Sequence, residues 1–240
     1  MSKEIIKDLL NYLDDSVSMY HSAKFAADKF NNAGFEELHL TEKWKLEKNG
    51  KYYLVVNNST VIAFVIGENE KSGFRIVGAH TDSPGFKIKS NPLIKKEGYL
   101  QLNTEVYGGP LLHTWFDRPL SIAGRVFLKG ESAHKPNVEL LNIDRDLLTI
   151  PSLAIHMQSQ DERGKLPNPQ KETLPIIGLG EDFDLDNLIA EELNVKKENI
   201  LSHDLFLYNR EKSYTFGLNN EFFQSGKIDN LGMVHAGLQA

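Results

Sequence analysis

Residues 51–66 read KYYLVVNNSTVIAFVI, two apolar runs rich in Tyr, Val, Ile and Phe separated by Asn57-Asn58. β-branched and aromatic side chains suit a pleated surface, and adjacent asparagines tolerate the turn that joins two strands. The stretch therefore predicts a β-hairpin. After a break from Gly67 to Gly73, Phe74 to Gly78 predicts a further strand. Ahead of the hairpin, Ile5, Ile6, Leu9, Leu10 and Leu13 recur at helical spacing behind a capping Ser2. Ala23, Ala26, Ala27 and Phe30 follow Ser22 and stop before Gly34. Two amphipathic helices leading into a sheet define the opening of an α/β fold.

The texture changes over residues 92–225. Short β-like runs at Tyr99–Tyr107, Leu120–Leu128, Leu174–Ile177 and Asp204–Tyr208 are separated by Gly, Pro and Asn clusters, which predicts a second, mostly β module. Pro175 confines its run to a sheet edge. One helix interrupts the strands, with Leu185, Leu188, Ile189 and Leu193 at helical spacing within 184–193. Residues 158–170, polar and holding two prolines, are the candidate mobile loop. Leu231, Val234 and Leu238 then share one face of a helix starting near Asp229. That face still runs at Ala240, so the expectation is a chain cut off inside a helix.

Composition narrows the function. With 40% hydrophobic and 25% charged residues the chain is ordinary for a folded protein, and its net charge of −6 offers no field to attract nucleic acid. The absence of cysteine removes disulfides, thiolate zinc sites and cysteine nucleophiles, so a metal would rest on His, Asp and Glu. Residues 1–10, MSKEIIKDLL, contain no apolar core of signal-peptide length. The longest apolar run, residues 61–66, is far short of the roughly 20 residues that span a bilayer. The expectation is a cytoplasmic protein without a membrane partner.

The segment Gly78-Ala79-His80-Thr81-Asp82-Ser83-Pro84 sets a His and an Asp two residues apart where an apolar strand runs out. In extended backbone both face one side. A carboxylate accepting from one imidazole nitrogen fixes the tautomer and leaves the other nitrogen free for a metal. The bland alternative is a strand-end histidine beside a surface aspartate. A second acidic site, Asp229 in Ser225-Gly226-Lys227-Ile228-Asp229-Asn230-Leu231, opens the last helical pattern, where an ordinary N-cap is the alternative.

Six segments in order, AHTDSPGFKIK, YGGPLLHTWFDRPLSIAGRV, IPSLAIHMQ, NPQ at 168–170, HDLFLYN at 203–209 and SGKIDNL, resemble the aspartyl aminopeptidase family of dinuclear zinc metallopeptidases, in its N-terminal part. The resemblance implies an incomplete metallo-aminopeptidase-type catalytic α/β domain from residues 1–91 and 226–240, with residues 92–225 an inserted, β-rich dimerisation domain. It implies His80 as a metal ligand, Asp82 as the acid that orients it, and Asp229 as the aspartate bridging two zinc ions, other divalent metals being possible. It implies that His156 reaches a neighbouring subunit's active site to stabilise a developing oxyanion. Without the resemblance, His156 reads equally as a strand histidine. The implied substrate is a peptide with a free N-terminus and the implied partner a second copy of the chain. The alternative is a catalytically inactive fragment or a non-enzymatic assembly scaffold.

The match has gaps. The family's later Glu-Glu pair, Asp and His have no place before Ala240, and Glu191-Glu192 and Glu36-Glu37 read as a solvated helix face and a turn. Lys227 stands where Arg is usual, and residues 17–21 lack a proline. His21 reads as a buried or capping residue. His113, Trp115 and Asp117-Arg118 read as a structural corner, and Lys87, Lys89, Lys95 and Lys96 as a solvated strand face.

Overall fold

The computed structural model describes residues 2–68, 73–132, 134–161 and 163–240. In chain order its elements are α1 (Ser2–Asp15), α2 (Met19–Asn32), β1 (Glu36–Glu37), β2 (Lys51–Val56), β3 (Thr60–Val65), β4 (Gly85–Lys96), β5 (Tyr99–Tyr107), β6 (Leu120–Ser132), β7 (Lys135–Asn142), β8 (Ile176–Leu179), α3 (Leu185–Leu193), β9 (Ile200–Asn209), β10 (Tyr214–Phe216), β11 (Phe222–Gln224) and α4 (Ile228–Gln239). The chain forms two compact units. One comprises residues up to Ser83 with Ser213–Ala240, the other Pro84–Lys212. The division therefore falls at 83/84 and 212/213, where the sequence pattern placed it at 91/92 and 225/226. The continuous β4 carries the chain through position 91, and β10 pairs with β11 inside the first unit.

In the first unit, α1 buries Leu9, Tyr12 and Leu13 against Leu231 of α4, with Leu10, Phe25, Phe223 and Val234 packed around them. Tyr12, outside the apolar periodicity, is fully buried because its hydroxyl shares a 2.6 Å hydrogen bond with Ser22 of α2. Helix α2 starts at Met19, ahead of the expected Ser22. It ends where Gly34 adopts φ +77° and the amides of Gly34 and Phe35 return to the carbonyls of Asn31 and Phe30, closing the orphan carbonyls as a left-handed glycine allows. The expected Ser2 cap lies outside the described side chains, and the break at 67–73 is described only in part.

The hairpin of 51–66 forms as β2 and β3, paired from Lys51↔Val65 to Val56↔Thr60, with Asn57 and Asn58 both at positive φ in the turn. Glu36-Glu37 is not a turn but β1, parallel to β2, and Glu37 accepts from the Tyr53 hydroxyl at 3.2 Å. The strand expected at 74–78 does not form a ladder. The segment pairs with no described strand, and Phe74, Ile76 and Val77 are 69%, 86% and 67% exposed. Its residue pattern suits a strand, but a strand also needs a neighbour to take its backbone hydrogen bonds.

The second unit is a six-stranded antiparallel sheet in the order β7-β6-β9-β4-β5-β8. Its core includes Phe86, Leu102, Ile122, Val126, Leu205 and Leu207, closed by Leu185 and Ile189 of α3. Asp184 caps α3 by accepting from the amides of Asp186 and Asn187. Strand β8 starts just after Pro175 and lies at the sheet edge. Residues 158–170 hold neither strand nor helix at their described positions.

Two outcomes follow from this packing. A Cβ on Gly124 would sit 2.1 Å from the Asp204 carbonyl of the adjacent β9, so Gly124→Ala should cost about 1–3 kcal/mol, read as a lowered urea midpoint. His21 is held down to about 4 by burial and by the nearby Lys227 and Lys24 charges, and its Nδ1 lies 2.8 Å from Ser18 Oγ. The unfolded chain therefore binds this proton first. The stability linked to neutral His21 is present above an unfolded pKa of about 6.5 and is lost as pH falls toward 4, by about 2–3 kcal/mol. Urea unfolding of wild type and His21→Gln between pH 7 and 4 should show the slope in the former and a flatter one in the latter.

Candidate metal centre

The segment that carries His80 is tied to the hairpin, because the Thr81 hydroxyl donates to the carbonyl of Ser59 in the β2–β3 turn at 2.7 Å. His80 Nδ1 lies 2.9 Å from Asp82 Oδ1 and 3.2 Å from the Asp82 carbonyl. An ionised Asp82 carboxylate only accepts, so Nδ1–H donates to it, and the neutral tautomer that keeps this bond is the one able to offer Nε2 to a metal. His80 Nε2 lies 3.4 Å from Asp229 Oδ1.

Asp229 is placed by the entrance of α4. Asp229 and Asn230 leave helical geometry (φ/ψ −84°/108° and −115°/19°), the peptide between them is cis, and Leu231 directly after them is 1% exposed in the helical core. The N-cap position falls on Lys227, with no side chain capping the helix. The N-cap alternative for Asp229 is therefore corrected: its carboxylate reaches His80 instead of the first turn.

Helix α4 is fixed in turn by Asp8 of α1. Asp8 accepts from Lys29 Nζ of α2 at 2.9 and 2.7 Å, from Gln239 Nε2 at 2.8 Å, and faces His235 Nε2 at 2.9 Å. The Lys29 hydrogen bond, opposed by burial and assisted by His235, holds the Asp8 carboxyl below the usual carboxylate range. His235, 4% exposed, and Asp8 were not singled out by the sequence pattern. The polar helix position 235, one turn after Leu231, was the only available signal.

Two donors on one zinc, with bonds of about 2.0–2.2 Å in tetrahedral geometry, stand about 3.3–3.5 Å apart. The Nε2 to Oδ1 separation of 3.4 Å fits that spacing. Side-chain exposures of 55% for His80 and 73% for Asp229 leave room for further ligands. Among the described residues no group of three or more His, Cys, Asp or Glu is positioned to hold a metal, so the chain presents a pair of donors and not a closed site.

His156 belongs to the other unit. It is exposed in a 3-10 turn, Ile155–Met157, beside exposed Leu153, Ile155 and Met157, so the reading of it as a strand histidine is corrected. The remaining candidates are structural. Trp115 packs edge-on against Phe86, Asp117 accepts from the amide and hydroxyl of Ser152, and Arg118 donates to Glu211. Lys87 pairs with Asp204, Lys89 donates to Gln170 and Lys95 to Asp182. Burial alone would raise the Asp204 carboxyl, but hydrogen bonds from Arg125 and Lys87 leave it below its ordinary value. Glu192 pairs with Arg145 at the surface.

Comparison with known proteins defines the class. The chain shares its fold with the structure of Chaetomium thermophilum mApe1 (29% identity, TM-score 0.85, 96% of this chain and 56% of that one) and with the structure of the Ape4 and Nbr1 complex (34% identity, TM-score 0.91, 99% and 50%). It is a metallo-aminopeptidase-type α/β fold. Residues 12–240 match the model of the family described as Aminopeptidase I zinc metalloprotease (M18), and the chain belongs to that family. A probable M18 family aminopeptidase 2 of Clostridium acetobutylicum is 49% identical over 99% of this chain and 57% of its own length, and one of Clostridium novyi is 46% identical over 97% and 55%. The chain thus spans little more than half the length of these relatives and corresponds to their N-terminal part. Among the described residues, no helix is long and apolar enough to cross a membrane.

The Asp82 contact fixes one outcome. At pH 8 the nitrogen-15 shifts of His80 should report a protonated Nδ1 and a bare Nε2. A dominant Nε2–H form would contradict the orienting contact.

Proposed function

We propose that this chain supplies the N-terminal part of a zinc-dependent aminopeptidase that hydrolyses the N-terminal residue from peptides. The carrying observation is the approach of His80 Nε2 to Asp229 Oδ1 at 3.4 Å, with Asp82 on the opposite ring nitrogen. In this reading His80 ligates one zinc, Asp229 is placed to serve two, and Asp82 keeps the imidazole in the ligating tautomer. Zinc, when bound, supplies Lewis-acid polarisation of a carbonyl and acidifies water. The protein's own contribution is to hold the two donors apart at ligand spacing without closing the face that a substrate would approach.

The unit formed by Pro84–Lys212 is read as the inserted dimerisation module. Exposed Leu153, Ile155 and Met157 offer apolar surface next to His156, which would reach a neighbouring copy's site and steady a developing oxyanion there. That exposed apolar surface supports assembly of this chain into a homo-oligomer. The proposed location is cytoplasmic.

A second reading concerns the 240 residues alone. A catalytic zinc takes three protein ligands, and the described residues bring two donors together. These residues by themselves are then inactive and serve at most as a partial metal site and an assembly module.

The test is release of N-terminal residues from aminoacyl and peptide substrates. A full-length M18 protein carrying this sequence as its N-terminal part should hydrolyse them with zinc, manganese or cobalt, and no release with any of the three would sink the proposal. The 240-residue chain should show none. In the active form Asp82→Ala should weaken zinc affinity about 10–100-fold by calorimetry, and an unchanged affinity would remove Asp82 from its orienting role.

A further inference from the structure

Strand β4 loses register with β5 between Ile88 and Leu93, and beside that irregular stretch lies a cavity of about 240 Å³. Ser90 and Leu93 line it from β4, Asp184 and Asp186 from the start of α3, and His203 from β9. All of them belong to the unit Pro84–Lys212. Strand alternation places His203: it pairs with Val126 and shares a face with Leu205 and Leu207, the face on which Leu185 and Ile189 of α3 pack.

The two acids differ in what they are committed to. Asp184 caps α3 through the amides of Asp186 and Asn187 and pairs with Lys197. The Asp186 carboxylate faces His203 instead, with Nε2 3.6 Å from Oδ1. A hydrogen bond between an imidazolium and a carboxylate would draw these atoms to about 2.7–2.9 Å. Bonds of about 2.0–2.2 Å from both atoms to one zinc span the observed 3.6 Å with an angle of about 120° at the ion, near the tetrahedral value.

The ring also suits a ligand. It donates to its own main-chain carbonyl, which only Nδ1 can reach, and the neutral tautomer that keeps this bond offers Nε2 to a metal. Burial outweighs the pull of the Asp186 and Asp204 charges and holds the ring below the usual histidine range, so it is neutral at and above pH 7.

We propose that His203 and Asp186 form a second divalent-metal site, for zinc or a similar borderline cation, with solvent in the cavity completing the coordination. Imidazole with one carboxylate favours zinc, cobalt, nickel and copper over magnesium and calcium, which prefer shells of oxygen alone. Two protein donors make an exchangeable site and not a closed structural one. A bound ion ties the first turn of α3 to β9, so occupancy stabilises this unit by linkage. The inference does not rest on His80, Asp229 or peptide hydrolysis.

Histidine-selective NMR of the 240-residue chain at pH 8 tests it, because the ring signals of His203 and His80 are read separately. Without metal, His203 should be neutral with Nε2 bare. Added zinc should shift its Nε2 signal to saturation, EDTA should reverse the shift, and magnesium or calcium in excess should leave the signal unmoved. Asp186→Asn should raise the zinc concentration at half-shift by at least about tenfold, the loss typical of even an outer-shell partner. No shift of the His203 signals at millimolar zinc would overturn the proposal, as would an unchanged half-shift concentration in Asp186→Asn. A metal-free imidazolium signal for His203 at pH 8 would overturn it as well, because a proton would then close the pair.

Discussion

The packing of α4 on α1 is the constraint on which the candidate site depends. Leu231 sits among Leu9, Tyr12 and Leu13, and one turn further along α4 His235 meets Asp8, which also holds Lys29 and Gln239. A carboxylate that meets three nitrogen groups from two other helices in a half-buried setting loses much if any of them is removed, since the remaining charge is left poorly solvated. This apolar patch and ionic knot fix the start of α4, and therefore Asp229, two residues before Leu231. The His80 side is held separately, by Thr81 on the hairpin turn. Each half of the donor pair thus has its own support.

The geometry separates orientation from coordination. Asp82 acts on Nδ1 and Asp229 faces Nε2, so the two carboxylates use opposite edges of one imidazole. That arrangement explains why residues so ordinary singly become specific together. A His-x-Asp at a strand end is common, and an Asp opening a helix is common. A pair of oxygens at 2.9 and 3.4 Å from the two nitrogens of one ring is a narrower condition.

Much of the fold was legible from local pattern. The run Tyr99–Tyr107 coincides with β5, the helical spacing of 184–193 became α3, and Asn57-Asn58 marked the hairpin turn. What escaped depended on distant partners. Strand β7 begins Lys-Pro-Asn and lies at the sheet edge, where polar residues and proline blur the alternation. Strand β4 contains a register shift between Ile88 and Leu93, which breaks the period near its middle. For 74–78 the residue pattern favours a strand, but none forms and no described strand lies beside it. In the site, the proximity of His80 and Asp82 was readable from spacing. The clamp between Asp8 and His235 joins residues 227 positions apart and leaves no local trace.

The route of the chain through the second unit bears on how the donor pair assembles. His80 and Asp229 lie on either side of the excursion Pro84–Lys212, and bringing them together from an unfolded chain means closing a long loop. Strands β4 and β9, at the two ends of that excursion, are antiparallel neighbours joined at Lys87↔Phe206, so once the sheet has folded its entrance and exit lie side by side. The folded insert then acts as a short tether, and the entropy of ring closure has already been met by the sheet's own core. On this topology a folded insert leaves only a short span to close between His80 and Asp229, however long the intervening sequence.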